Sequence, residues 1–394
     1  MSENILPGSN IGWQRELLLA LQHTIAMFGA TVLVPFLTGL SPTVALFTAG
    51  LGTLIFHLLT KGIVPVFLGS SFAFIAPILA VKESFGLPYA TGGIIVAGLV
   101  YVVMSALIKL VGVEKVRKFF PPAVTGPVIM VIGLTLAPVA IDMASTNWIV
   151  AGIVLITVII TSVFMKGFFQ MIPILIGVIV GYLASLILGI VDFTAIAQAQ
   201  WLAAPDFMLP KFSWAAIAVI APVAIVTMME HIGDIMTNGA VVQKDFFVNP
   251  GLHRTMLGDG VATITAALLG GPANTTYSEN TGVLALTKVY SPKILRYAAI
   301  FAIVLSFIGK LGAIIRTIPQ SVMGGICILL FGMIASIGMR TVSEKVDFSN
   351  SRNLIISAII LIFGLSGVEL FGLSGMALAA VLGIALNKLL PENV

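Results

Sequence analysis

From about residue 14 to residue 390 the chain is a succession of apolar runs of roughly 17–25 residues, the length a helix needs to cross a bilayer. Charges, prolines and glycine clusters close the runs, in place of the long polar stretches of a water-soluble domain. Only 9% of the 394 residues are charged and 59% are hydrophobic, whereas a soluble domain carries about 25% charge. Lipid offers backbone groups no partner, so each run is forced into a helix. The chain reads as an all-α polytopic membrane protein. Its net charge of +4 is no nucleic-acid signal, because the basic residues sit at the ends of the runs. The single Cys327 lies inside an apolar run, which excludes a disulfide framework and a cysteine metal cluster. The polar first dozen residues carry no small-residue cleavage site, so the first helix is expected to be uncleaved.

Cutting at the breaks predicts fourteen transmembrane segments. Seven lie at approximately 14–37, 43–60, 64–81, 90–110, 122–141, 148–165 and 172–190. After a longer loop, 191–213, seven more lie at 214–242, 255–270, 272–288, 293–314, 318–339, 353–368 and 373–390. With a cytoplasmic N-terminus, all of the 20 Lys and Arg residues except Lys82, Lys211, Lys310 and Arg316 fall in inner loops, Arg117 among them. That is the positive-inside bias, and an even number of crossings makes the C-terminus cytoplasmic too. Trp13, Trp148, Trp201 and Trp214 fall near segment ends, where interfacial aromatics belong.

Residues Gly270 to Lys288, GGPANTTYSENTGVLALTK, interrupt this pattern. Glu279 stands there in a segment otherwise apolar enough to span, and a charge at that depth costs several kcal/mol unless it lines a cavity or pathway. Residues 255–289 must cross twice, about 60 Å. As pure helix, 35 residues reach only about 52 Å. Running about six residues extended recovers the difference. A short strand is therefore expected over Thr275–Asn280, with a half-helix starting near Thr281 and a partner strand at Ser71–Phe74. Two thin, tilted, continuous helices are the other arrangement this length permits. Broken segments at the membrane midplane are where secondary transporters bind their cargo.

The halves echo each other. Gln22-His23 corresponds to Glu230-His231, GSSFAF (Gly69–Phe74) to TTYSEN (Thr275–Asn280), and Pro121, Val124 and Gly126 to Pro319, Val322 and Gly324. Because seven is odd, a second copy enters the membrane from the opposite face, giving two inverted seven-helix repeats. Glu230 lies near the middle of the uncharged stretch of its helix, and Asp234 follows one turn on, on the same face. The pair reads as a proton relay; the plainer readings are a structural acid for Glu230 and a solvated inner-end residue for Asp234. No ligand cluster is visible, so His23 and His231 read as hydrogen-bonding residues, and neither metal nor cofactor is expected. Asp259, just before Gly260, opens the ninth segment and either caps or braces the core. Gly324, Gly325 and Gly332 suit close helix contacts, within one chain or between two. An intramembrane acid dyad is the reading from another class, but no nucleophile arrangement accompanies it.

Glu279-Asn280-Thr281-Gly282, followed by Thr287-Lys288, resembles the signature of the nucleobase–ascorbate transporter family: an acid or amide, Asn-x-Gly, then Thr with a basic residue. QHTIAMFGATVLVP (Gln22–Pro35), LGSSFAFIAP (Leu68–Pro77), MEHIGD (Met229–Asp234), NPGLHR (Asn249–Arg254) and IPQSVMGG (Ile318–Gly325) extend the resemblance over essentially the whole chain. Glutamate at 279, where purine members commonly carry glutamine, is similar to the uracil branch. The resemblance implies a proton-coupled uracil symporter, with a xanthine or purine permease as the alternative, and a homodimer in the cell membrane.

It further implies a core domain (12–118 and 214–316) holding the substrate and a gate domain (119–213 and 317–390), moving by alternating access. Substrate binding would fall to Phe72, Glu230, Ser278 and Glu279, and proton coupling to Glu230, Asp234 and Glu279. Phe72 and Ser278 would offer backbone N–H groups. Asp234 and Ser278 depart from the histidine and glycine that uracil members can carry there; the serine would narrow the pocket and the aspartate would alter the coupling.

Overall fold

The computed structural model describes residues 12–391 except 114, 116, 117, 119, 369, 371, 372 and 374. Arg117 and both chain ends, expected to be cytoplasmic, lie outside the described residues. Helices α1 (Trp13–Thr38) and α2 (Pro42–Leu59) lead into strand β1 (Leu68–Ser70), a 3-10 turn (Phe72–Phe74) and the short helix α3 (Ile75–Ser84). Then come α4 (Leu87–Val111), α5 (Pro122–Thr135), α6 (Ala137–Ser145), α7 (Trp148–Phe164), α8 (Pro173–Ile187) and α9 (Thr194–Gln198). The second half runs through α10 (Trp214–Ile220), α11 (Val223–Val242), α12 (Leu252–Leu268), strand β2 (Asn274–Thr276) and α13 (Ser278–Thr287). It ends with α14 (Pro292–Ser306), α15 (Gly309–Arg316), α16 (Gln320–Lys345), α17 (Ser351–Leu365) and α18 (Gly375–Leu389).

Proline opens many of these helices: Pro42, Pro88, Pro122, Pro173 and Pro292 all occupy the first turn, where a missing N–H costs nothing. Among the described residues six stretches are long and apolar enough to cross a membrane: α1, α2, α4, α5 with α6, α10 with α11, and α16. The helices α7, α8, α17 and α18 are shorter and also apolar. The four tryptophans are all well exposed, at or beside helix starts or in the loop 191–213. The chain is thus a mostly helical, multi-span membrane protein with a two-stranded antiparallel sheet.

The helices sort by packing. α12 lies along α4 and α2, α14 along α2 and α1, while α16 lies along α5, α6 and α7, and α17 packs between α5 and α18. Small residues permit the closest approaches: Gly324 sits on the backbone of Ala144 and Gly325 on that of Ala151, so both serve contacts within the chain. A Cβ added at Gly332 would meet nothing within 4 Å. Between the two groups, α11 touches α5 and α18, and α1 touches α8.

Several details differ from the sequence reading: the segments 122–141 and 214–242 are interrupted, at Leu136 and at 221–222. The run 293–314 is broken at Phe307–Ile308, because the loop before α10 pairs there: Ala203 N–H donates to Phe307 O at 3.0 Å and Gly309 N–H to Trp201 O at 3.0 Å. The strands also sit earlier than expected, at Asn274–Thr276 in place of Thr275–Asn280, and at Leu68–Ser70 in place of Ser71–Phe74. Phe72–Phe74 is a 3-10 turn, and the half-helix starts at Ser278 in place of Thr281.

Candidate functional site

The strands pair antiparallel, Leu68 with Thr276, Gly69 with Thr275 and Ser70 with Asn274. Outside the strands proper, Ser71 N–H donates to Ala273 O at 2.9 Å and Tyr277 N–H to Phe67 O at 2.9 Å. A sheet this small has two raw edges, which lipid cannot satisfy. Two threonines close them. On one side Leu68 N–H donates to Thr53 Oγ1 at 2.9 Å, and that hydroxyl turns back on Leu68 O. On the other, Asn274 N–H donates to Thr263 Oγ1 at 3.3 Å, and the hydroxyl donates to Asn274 O at 2.9 Å. Glycine at 69 is required, because a Cβ there would run into the Tyr277 ring. That ring is fixed in turn by its hydroxyl, which donates to Ser70 O at 3.0 Å.

Past the sheet each chain segment turns into a helix, the first through Phe72–Phe74 into α3 and the second directly into α13. Two helix N-termini, with their unpaired N–H groups and positive dipole ends, therefore converge on one region of the interior. The acids gather beside the second. Asp234 on α11 accepts from Thr276 Oγ1 at 2.8 Å and from Ser278 Oγ at 2.6 Å, tying α11 to the strand-to-helix junction. These bonds, with Thr263, explain why the strand ends at Thr276 and the helix begins two residues later.

Glu230 lies one turn from Asp234, and its Oε2 is buried with no hydrogen-bond donor in reach. A buried carboxylate oxygen left unpaired costs about 1–3 kcal/mol or more, so it marks a place where a donor is wanted. Glu279 stands in the first turn of α13, within electrostatic reach of Glu230. It also lines a cavity of ≈ 330 Å³ whose other walls are α1, α7, the start of α8 and α16. Phe72, Glu230, Asp234 and Ser278 do not line that cavity. Phe72 is buried and meets Phe331 of α16 edge-on, ring centroids 6.4 Å apart.

His231 is held on both ring nitrogens, Nδ1 to Asp259 Oδ2 at 2.8 Å and Nε2 to Thr255 Oγ1 at 3.0 Å. Asp259 thus braces α12 against α11. His23 takes the Asn280 amide on its carbonyl at 3.0 Å and faces it with Nδ1 at 3.1 Å. Asn238 was not singled out in the sequence, yet its amide donates to Pro65 O and to Thr281 Oγ1, both at 3.1 Å, fastening α13 to the approach to β1. The signal was present: a fully buried asparagine in an apolar helix needs a partner. Thr53 and Thr263 gave no such signal, since threonine is ordinary in apolar helices.

The overall fold, a multi-span helical assembly with a small two-stranded sheet inside it, is shared with solved structures. The transmembrane domain of a cyanobacterium bicarbonate transporter, BicA, superposes with a TM-score of 0.59 at 15% identity, covering 96% of this chain and 100% of that one. Murine Slc26a9, an anion transporter in the inward-facing state, gives 0.74 at 11% identity, covering 97% and 68%. The chain belongs to the Permease family (Xan_ur_permease), whose profile matches residues 14–373. Curated relatives include the uracil permease of Bacillus caldolyticus, 49% identical over 368 residues spanning 89% of this chain and 85% of that protein. The uracil permease of Escherichia coli (strain K12) is 44% identical over 363 residues, spanning 89% and 84%. Membership makes the chain a transporter and not an enzyme.

Proposed function

We propose that the chain carries uracil across the cell membrane together with protons, by alternating access about the sheet and its two half-helices. The observation that carries the reading is the unpartnered Glu230 carboxylate oxygen beside converging helix N-termini, in a chain nearly half identical to proteins named uracil permease. Uracil presents ring N–H groups and carbonyls on one small plane. Glu230 takes a ring N–H, Glu279 engages the opposite edge, and the N–H groups at Phe72 and Ser278 meet the carbonyls. Asp234, one turn from Glu230 and bonded to the junction, joins the two glutamates in passing the proton.

In this reading residues 12–118 and 214–316 form the core domain, and 119–213 and 317–390 the gate domain. The packing supports the division, since helices associate more within each set than across it. Fourteen segments in two inverted repeats draw support from paired details: Thr53 and Thr263 close opposite sheet edges, and Pro121 and Pro319 are each the residue before a gate helix. Cytoplasmic termini and a homodimer complete the proposal. The test is uptake of labelled uracil into proteoliposomes with and without an inward proton gradient, with xanthine as competitor. Gradient-driven accumulation that xanthine leaves untouched is expected; accumulation indifferent to the gradient contradicts proton coupling.

A further inference from the structure

The cavity beside Glu279 is larger and greasier than a nucleobase site requires. Its ≈ 330 Å³ falls within the range of small-molecule sites, roughly 300–1,000 Å³. Among the described residues, Glu279 is its only ionisable wall residue, and the only other side chains with strong hydrogen-bonding groups on it are those of Ser162 and Gln170. One N–H of the Gln170 amide is taken up by Ser162 O at 3.3 Å. The remaining walls are aliphatic apart from Met171 and Met333. Gly282, one turn beyond Glu279 on the same face of α13, opens straight into it: a Cβ there would meet nothing within 4 Å.

We infer that this cavity is a second subsite, adjoining the base site at Glu279, that accepts an apolar substituent on a pyrimidine ring. The inference rests on the proposed role of Glu279 in holding the base. A uracil bearing a benzyl group on carbon keeps both ring N–H groups for the carboxylates and sends the phenyl ring past Gly282. Apolar burial there adds affinity. The walls come from both packing groups, α1 and α13 on one side and α7, α8 and α16 on the other. A substituent lodged between them is a wedge, so such a compound binds in competition with uracil and is not carried.

The experiment uses the full chain, purified for displacement of labelled uracil by 5-benzyluracil and 6-benzyluracil, and in proteoliposomes for uptake of the labelled benzyl compounds. At least one compound is expected to displace uracil with affinity no weaker than uracil's own, and neither to accumulate. Gly282→Leu and Leu329→Trp each fill the cavity, from opposite walls. Each is expected to weaken the benzyl compound relative to uracil, measured in the same protein, by about tenfold or more; if one variant fails to fold, the other decides. Uracil binding without displacement by either compound, an unchanged ratio in the folded variants, or accumulation of the benzyl compound overturns the inference. Absence of uracil binding itself overturns the proposed function, and the subsite with it.

Discussion

Glu230, half-buried, and Asp259, fully buried, are acids on neighbouring helices, yet their surroundings assign them different work. Asp259 has an imidazole partner at 2.8 Å, and that imidazole is anchored again by Thr255. Removing the imidazole strands a buried charge, which costs about 3–5 kcal/mol where it has been measured. His231→Leu is therefore expected to lower the thermal unfolding midpoint sharply in detergent, whatever it does to transport. Asp259 also has one oxygen without a donor, but Glu230 has no imidazole on its other oxygen, so Glu230→Gln keeps the shape and strands no partner. Uptake is expected to fall by about 100-fold or more while the unfolding midpoint stays at the wild-type value. Uptake at the wild-type rate would remove Glu230 from the site.

The broken segments show what length and polarity can and cannot reveal about an element. The need for extended backbone near Thr275 followed from the distance two crossings must cover, and a strand is there. Its exact placement was not legible, because the junction is set by side chains on other helices: Thr263 on Asn274, and Asp234, more than 40 residues away, on Thr276 and Ser278. The break at Phe307 was hidden for the same reason, since the distant loop residues Trp201 and Ala203 impose it. The edge-closing threonines give a direct check. Thr53→Val or Thr263→Val leaves a strand N–H and C=O unpaired away from water, at a cost of about 1–3 kcal/mol each. Thermal melts of the variants should show the loss, and Thr→Ser should restore most of it. Indifference to valine would mean water reaches the sheet edges.

At the scale of the molecule, the apolar runs and their closing charges gave helix positions that the structure matches within a few residues over most of the chain. The acids at 230, 234 and 279 stood out because charge is scarce here, and the fold brings them to one region. The cavity was invisible in the sequence, since its walls come from five separate stretches. Alternating access requires the two helix groups to slide past each other, and one contact between them is close enough to lock. A Cβ built on Gly29 of α1 would lie 3.2 Å from the Ile174 Cβ of α8, so a small separation of the two backbones brings the pair into the roughly 3.5–4.5 Å that a disulfide spans. With buried Cys327 replaced, Gly29→Cys with Ile174→Cys is expected to cross-link under oxidation, stop uptake and recover on reduction. Full uptake in the cross-linked protein would mean these groups move as one.

The most direct measurement is a structure of the protein with uracil bound. The base is expected between α11 and α13, a ring N–H on the free oxygen of Glu230, its opposite edge toward Glu279 and its carbonyls facing the N–H groups at Phe72 and Ser278. Uracil lodged elsewhere, or Glu230 turned away from it, would contradict the account.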